Sequence, residues 1–445
     1  MMKFSLNATL PTSQPRDATV WRNPSFRKLW VGQAISKFGS HITSVAMAAV
    51  AVLALQATPA QMGVLGTFEG LSALLLGLLA GVWVDRLQRR PILIVADLGR
   101  ALVLVSIPLA ALFSTLSMPQ LYVVTGLVGT LTVLYNIAHP SYLPSVVTRA
   151  DLVRANALIG ASDAAAEIAG PSLAGTLVQW LSAPYAISID VGTYLFSAIC
   201  LARIHTPEPR PMLHERPNMW REMIEGLRIV IHHPVLRALA GTTATHRFFG
   251  SFIGTIYWLF LVRDLGLSPA IVGVTIGVGG VGAFIGTLVA PRITRRMGVG
   301  RTLIASLIVV PLWSGFLLLP ITTWPTNAVI GILFVIQLMG DIFWSIFFIN
   351  VASLRQAAIP THLLGRASAS LDVVGEGATP LGALVGGAVA TVIGARWTWL
   401  VGAAGILVGS LWLILSPVRQ LHALPSDPTR HIGWGEDRNP TGQRR

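Results

Sequence analysis

The stretch Gly81-Val-Trp-Val-Asp85-Arg86-Leu-Gln-Arg89-Arg90-Pro91 lies between two apolar runs, 61–84 and 92–113. A helix needs about 20 apolar residues to cross the hydrocarbon of a bilayer, and each run is long enough. The chain therefore crosses a membrane, reverses over a few residues, and crosses back. Gly81 and Asp85 stand one helical turn apart and share a face. A glycine there lets a neighbouring helix come close. The carboxylate is then placed to meet the positive N-terminal end of that helix. Arg86, Arg89 and Arg90 suit a cytoplasmic loop.

The rest of the chain repeats this pattern. It has 445 residues, 53% of them hydrophobic and 11% charged, with mean hydropathy +0.67. Soluble domains carry about 25% charged residues, so this composition specifies an integral membrane protein. The apolar runs are 29–55, 61–84, 92–113, 120–139, 155–181, 184–204, 237–262, 269–291, 301–320, 326–350, 366–393 and 396–416, twelve in all. With the N-terminus placed inside, 27 of the 32 Lys and Arg fall on the cytoplasmic side and two, Arg263 and Arg396, on the other; Lys37, Arg100 and Arg247 fall within runs. That asymmetry puts both termini in the cytoplasm. The formal charge of +13 does not indicate nucleic acid, because the cations sit in short loops between the runs. The single cysteine, Cys200, allows no intrachain disulfide. Residues 1–28 are polar and the first run is too long for a signal peptide, so no cleavable leader is expected.

The expected organisation is an all-α membrane protein of two six-helix halves. Residues 1–28 form an N-terminal tail, 29–204 the first half, 205–236 a central cytoplasmic loop, 237–416 the second half and 417–445 a C-terminal tail. In the central loop Trp220, Ile224, Leu227 and Ile231 recur at helical spacing with charged residues off the stripe. They read as an amphipathic helix, either lying on the membrane surface or packed beneath the bundle. The halves echo one another. The basic turn after run 2 has a counterpart in Pro291-Arg-Ile-Thr-Arg-Arg-Met-Gly298 after run 8. Asp163, Glu167 and Gly170-Pro171 in run 5 correspond to Asp372, Glu376 and Thr379-Pro380 in run 11. Such repeats build many secondary transporters, with the site at the repeat interface near the bilayer midplane.

The opening stretch resembles the loop between helices 2 and 3 of the major facilitator superfamily, Gly-x-x-x-Asp-Arg-x-Gly-Arg-Arg/Lys-Pro, departing from it at Gln88. The resemblance extends over nearly the whole chain. It is nearest to the bacterial branch of enterobactin and macrolide exporters, through Leu29-Trp-Val-Gly-Gln33, Leu143-Pro144, Ala155-Asn-Ala157, Tyr194-Leu-Phe196, Val262-Arg-Asp-Leu-Gly-Leu-Ser-Pro269 and Gly365-Arg366. Run 5, with Gly170, Pro171 and Gly175, is similar to the superfamily's antiporter motif, alanine replacing two of its glycines. The resemblance implies that runs 1, 4, 7 and 10 line a central cavity. Gln33, Lys37, His41, Tyr135, Asn136, His246 and Arg247 are then its polar candidates.

Eight acids lie within apolar runs: Glu69, Asp97, Asp163, Glu167, Asp190, Asp341, Asp372 and Glu376. Facing lipid, they would cost roughly 20 kcal/mol together, more than the 5–15 kcal/mol of net stability typical of proteins. They must meet a cavity or a partner, or take up a proton. Asp163 with Glu167, and Asp372 with Glu376, are four apart on one face, where close like charges resist double ionisation. Glu167 and Asp341, deep in their runs, read as proton or substrate groups, with Asp163, Glu69 and Glu376 beside them. Asp97 with Arg100, Arg366 with Asp372, and Asp190 read as structural pairs near helix ends. With Gly81, Asp85, Arg86, Arg89 and Arg90, the first four of these are the expected cytoplasmic gate, closing against runs 2 and 11.

None of the three lysines, Lys3, Lys28 and Lys37, is followed by Ser or Thr, which excludes a self-contained P-loop ATPase. No metal-ligand spacing and no Gly-x-Ser-x-Gly elbow occurs, so no cofactor and no enzymatic chemistry is expected. The resulting expectation is a monomeric, proton-coupled exporter of amphipathic small molecules such as drugs, macrolides or siderophores, in a bacterial inner membrane. An importer or lipid transporter of the same fold is one alternative, and a non-transporting membrane sensor another.

Overall fold

The computed structural model describes residues 20–84, 87–206, 208, 219–319, 323–360 and 363–425. Asp85 and Arg86, most of both expected tails and residues 209–218 of the central loop lie outside them. The described residues form thirteen α-helices and no strand. They are α1 (Pro24–Ala49), α2 (Pro59–Val84), α3 (Arg89–Leu112), α4 (Met118–Val146), α5 (Leu152–Leu181), α6 (Ala183–Ala202), α7 (Met219–His232), α8 (Pro234–Leu259), α9 (Pro269–Met297), α10 (Val299–Ser314), α11 (Thr326–Ala358), α12 (Leu364–Ile393) and α13 (Ala395–Ile414). Every expected run is one of these helices, and α7 is the amphipathic helix between the halves. Among the described residues nine helices are long and apolar enough to span a membrane unaided. Two of the others, α5 and α8, carry the polar residues Asp163, Glu167, His246 and Arg247.

Local chemistry sets the helix ends. The Asn23 side chain accepts from the amides of Ser25 and Phe26 at 2.9 and 3.2 Å, with Pro24 at the first helical position. Gly298 and Gly394, at φ 84° and 81°, separate α9 from α10 and α12 from α13. Two boundaries differ from expectation. Helix α4 passes through Pro140 and Pro144 to Val146, and α9 passes through Pro291 to Met297, so the basic stretch after run 8 is helical rather than a turn. A proline removes one backbone hydrogen bond, and in these long helices packing outweighs that loss.

The two halves share a register. Pro234, Phe260 and Pro269 each stand 210 positions after Pro24, Val50 and Pro59. Helices α1 and α8 both run 26 residues and pass into a five-residue π-helical turn, Val50–Ala54 and Phe260–Asp264. In the first half α1 packs on α5 and α6, and α3 on α4 and α6; in the second α8 packs on α12 and α13, and α10 on α11 and α13. Two seams, α2 with α12 and α5 with α9, join the halves.

The apolar core shows which end of the molecule is closed. One buried cluster takes Ala46, Leu104 and Val178 from the first half together with Leu259, Phe260 and Trp399 from the second. It lies toward the face opposite the chain termini. Toward the terminal face the core divides into separate clusters, one around Phe26, Leu93 and Tyr142, the other around Leu236, Leu303 and Leu354.

Helix α7 packs beneath the bundle, one of the two expected placements. Its Gly226 abuts the backbone of Arg366 in α12, Val230 is buried, and Glu225 pairs with Arg366 at 3.0 Å. Ile224, Leu227 and Ile231, from the expected apolar stripe, remain exposed.

Candidate functional site

The seams position the site. At the closed end Gly63 and Gly387 bring α2 and α12 into backbone contact; a methyl group on either would stand 2.7 Å from a carbonyl oxygen, that of Ala383 or Pro59. Gly175 and Gly273 do the same for α5 and α9, against Pro269 and Pro171. Arg263, in the π-helical turn after α8, donates across the same end to the carbonyls of Ala57 at 2.8 Å and Val52 at 3.0 Å.

Further in, the α5–α9 seam carries two acids. Asp341 of α11 lies over Gly279 of α9, and the Glu167 backbone of α5 presses on Gly280. The Asp341 carboxylate accepts from Gln337 Nε2 at 2.5 Å, and Tyr257 OH donates to Gln337 Oε1 at 2.9 Å. Glu167 is within electrostatic reach of Asp341. Pro171 cannot donate to the Glu167 carbonyl one turn earlier, which leaves the helix locally less constrained beside the acid. An acid from the first half thus lies within electrostatic reach of an acid from the second, beside the contact of α5 with α9.

The second half holds two ion pairs along α12. Arg247 of α8 bonds Glu376 and Arg355 of α11 bonds Asp372, each at 2.7 Å. They line a cleft of about 90 Å³ with Thr243, Trp344, Phe347 and Phe348. The His246 ring stacks on Trp344 with centroids 4.1 Å apart. In the first half Lys37, which stands 210 positions before Arg247, is within electrostatic reach of Asp163, His41 and His139. Each half therefore sets a cation of its first helix against an acid of its fifth spanning helix. Glu69 is exposed on the face of α2 that also carries buried Met62 and Leu65.

Several expectations meet different partners. The paired acids do not share a proton by mutual repulsion alone, since Asp372 and Glu376 each have an arginine; Asp372 was expected beside Arg366, which binds Glu225 instead. Arg89 and Arg90 do not reach α12 in this arrangement. Their amides bond the Glu208 carboxylate at 2.7 and 3.2 Å, capping α3, and the Arg90 side chain bonds the carbonyls of Leu201 and Ala202. For Gly81 only the backbone, within α2, is described.

Tyr135 is buried rather than open to a cavity: its ring lies 4.6 Å from the Arg100 guanidinium, with Tyr194 on the other side at 4.2 Å. Arg100 bonds Asp97, both fully buried. Asp190 accepts from Thr43 and Thr193 at 2.5 and 2.7 Å. This is a closed internal pin of the first half. Gln33 is buried as well, and Asn136 is exposed. In α5 the motif faces two neighbours, Gly170 against His41 of α1 and Gly175 against α9.

Sequence reasoning passed over Gln337, Trp344, Arg355 and Glu208. Gln337 carried a signal, one turn before Asp341 in an apolar run. The partnership of Glu208 with α3 depends on long-range folding and left none.

Residues 18–439 match the family described as "transmembrane secretion effector". An uncharacterised transporter of the major facilitator type, YfiS of Bacillus subtilis (strain 168), is 28% identical over 87% of this chain and 92% of its own. The multidrug efflux pump Tap of Mycolicibacterium fortuitum is 26% identical over 77% and 84%. Among solved structures, the nucleoside transporter NupG superposes with a TM-score of 0.72 at 12% identity, covering 88% of this chain and 98% of that one. A bacterial homologue of the iron transporter ferroportin superposes with a TM-score of 0.69 in its inward-facing state, at 17% identity and 88% and 98% coverage.

Proposed function

The chain belongs to the transmembrane secretion effector family of the major facilitator superfamily, and from that membership we propose that it is a proton-coupled exporter of amphipathic small molecules. Residues 29–204 and 237–416 are its two halves, 205–236 the cytoplasmic linker, and 1–28 and 417–445 cytoplasmic tails in a bacterial inner membrane. The placement of the cations, 27 on the terminal side against two on the other, supports that orientation. The closed end is then external and the conformation inward-facing.

The observation that carries the reading is the placement of Asp341 over Gly279 of α9, within electrostatic reach of Glu167, whose backbone packs on the neighbouring Gly280. Two carboxylates within reach of one another repel when both are charged. The externally closed arrangement is favoured while one of them holds a proton. Release of that proton to the cytoplasm leaves two like charges at the seam and favours its opening outward, carrying substrate with it. A proton entering from outside then restores the closure. That order of events is exchange of a proton for an exported molecule. One charge crossing the field yields about 2.3 kcal/mol per 100 mV, which supports a useful substrate gradient.

Substrate contact falls to the cleft of α8, α11 and α12. Trp344, Phe347 and Phe348 supply an apolar wall, and the Arg247–Glu376 and Arg355–Asp372 pairs supply polar partners, which together suit an amphipathic molecule. Asp85, Arg86, Arg89 and Arg90, with Arg366 and Asp372, would form the cytoplasmic gate when the protein faces outward. The test is retention of a panel of lipophilic dyes and antibiotics in cells with and without the protein. Lower retention that a protonophore abolishes is expected. Higher retention would mean import and overturn the direction proposed here.

A further inference from the structure

A groove of about 410 Å³ runs between α8 and α13 at the terminal face of the second half. Its walls include Arg237, Val408, Leu411, Trp412 and Leu415. Leu415 is 82% exposed and Val408 55%, on the outer surface of α13, so the groove opens toward the bilayer rather than the space between the halves. Trp412 is held in place: its Nε1–H donates to Thr245 Oγ1 at 3.1 Å, and its indole lies flat on Gly241, where any side chain would collide with the ring. Arg237, one turn into α8, is exposed and makes no ion pair among the described residues. It stands near the first turn of α8 and beside the last turn of α13, at helix ends next to the basic loops. An apolar channel ending in an indole and an unpaired guanidinium matches a lipid acyl chain ending in an anionic headgroup.

We infer that this groove is a binding site for an anionic phospholipid of the inner leaflet, its phosphate at Arg237 and an acyl chain along Val408, Leu411 and Trp412. The exposed Ile224, Leu227 and Ile231 of α7 lie at the same face, and α7 leads into α8 just before Arg237. A lipid there anchors the α7–α8 junction, while the other side of α7 grips α12 through Gly226 and the Glu225–Arg366 pair. The inference depends on the membrane-spanning fold and not on the substrate or direction of transport.

Quenching of tryptophan fluorescence by phosphatidylglycerol brominated on its acyl chains tests it, on the purified full-length protein in detergent. Saturable quenching at lower lipid concentration than with brominated phosphatidylcholine is expected, and Trp412→Phe should remove the saturable part. Arg237→Gln should raise the half-quenching concentration about tenfold, and Arg237→Lys should keep the preference for the anionic lipid. Inorganic phosphate at millimolar concentration should not relieve the quenching. Equal quenching by the two lipids, an unchanged Arg237→Gln, or displacement by free phosphate would each overturn the proposal.

Discussion

Individual side chains divide into those that hold a half together and those that meet across the seam. The Asp97–Arg100 pair, clasped between Tyr135 and Tyr194, belongs to the first kind. Removing one member of a buried pair leaves an uncompensated charge and costs about 3–5 kcal/mol, whereas replacing both by apolar groups is often tolerated. Asp97→Leu or Arg100→Met alone should lower the unfolding temperature in detergent more than the double substitution does; additive losses would show that the pair is not a unit. Glu167 and Asp341 belong to the second kind. Glu167→Gln removes the repulsion at the seam, so the externally closed population should lose its pH dependence. In the unaltered protein that population should fall as pH rises, as charge on Asp341 beside Glu167 comes to oppose closure. Distances between spin labels on the external ends of α5 and α9, followed from acid to alkaline pH, report it.

Helices α5, α9, α2 and α12 are built to touch. Their contact rests on glycines with no room for a side chain, so Gly175→Leu or Gly387→Leu should hold the external end open. With Cys200 replaced by serine, a cysteine placed at the buried Ala57 should then react faster with a membrane-impermeant maleimide; unchanged labelling would mean that these glycines do not form the seal. The helices themselves were legible in the sequence, because an apolar run of membrane length has few other fates. The boundaries that moved, at α4 and α9, lie where proline and basic residues signal a turn but the helix is held by its neighbours. The acids of the site were equally legible, since an ionisable group in an apolar run demands a reason. Their partners were not. Glu376 with Arg247, Asp372 with Arg355, and Asp341 with Glu167 come from helices distant in sequence, and spacing along one helix says nothing about which neighbour it faces.

At the scale of the whole molecule, the 210-residue register places Lys37 and Arg247 at equivalent points of the two halves, but Arg263 has no cationic counterpart, its equivalent being Leu53. The external latch is therefore one-sided. Hydrogen bonds from a charged group contribute about 1.5–3 kcal/mol each, so Arg263→Gln should move the population toward the outward-open form by tenfold or more. Faster maleimide labelling of a cysteine at Ala57 would register that shift, and labelling at the original rate would remove Arg263 from the account. Because latch and acid pair act on one equilibrium, the latch variant should also lower the proton dependence of transport.

The central claim is that the Glu167–Asp341 pair converts a proton gradient into export. Everted membrane vesicles whose lumen is acidified by respiration test it most directly, with uptake of a lipophilic dye shown to be a substrate as the readout. Vesicles with the unaltered protein should accumulate the dye and release it when a protonophore is added. Vesicles carrying Glu167→Gln with Asp341→Asn should only equilibrate it. Full, gradient-driven accumulation by the double variant would contradict the claim and place the proton elsewhere.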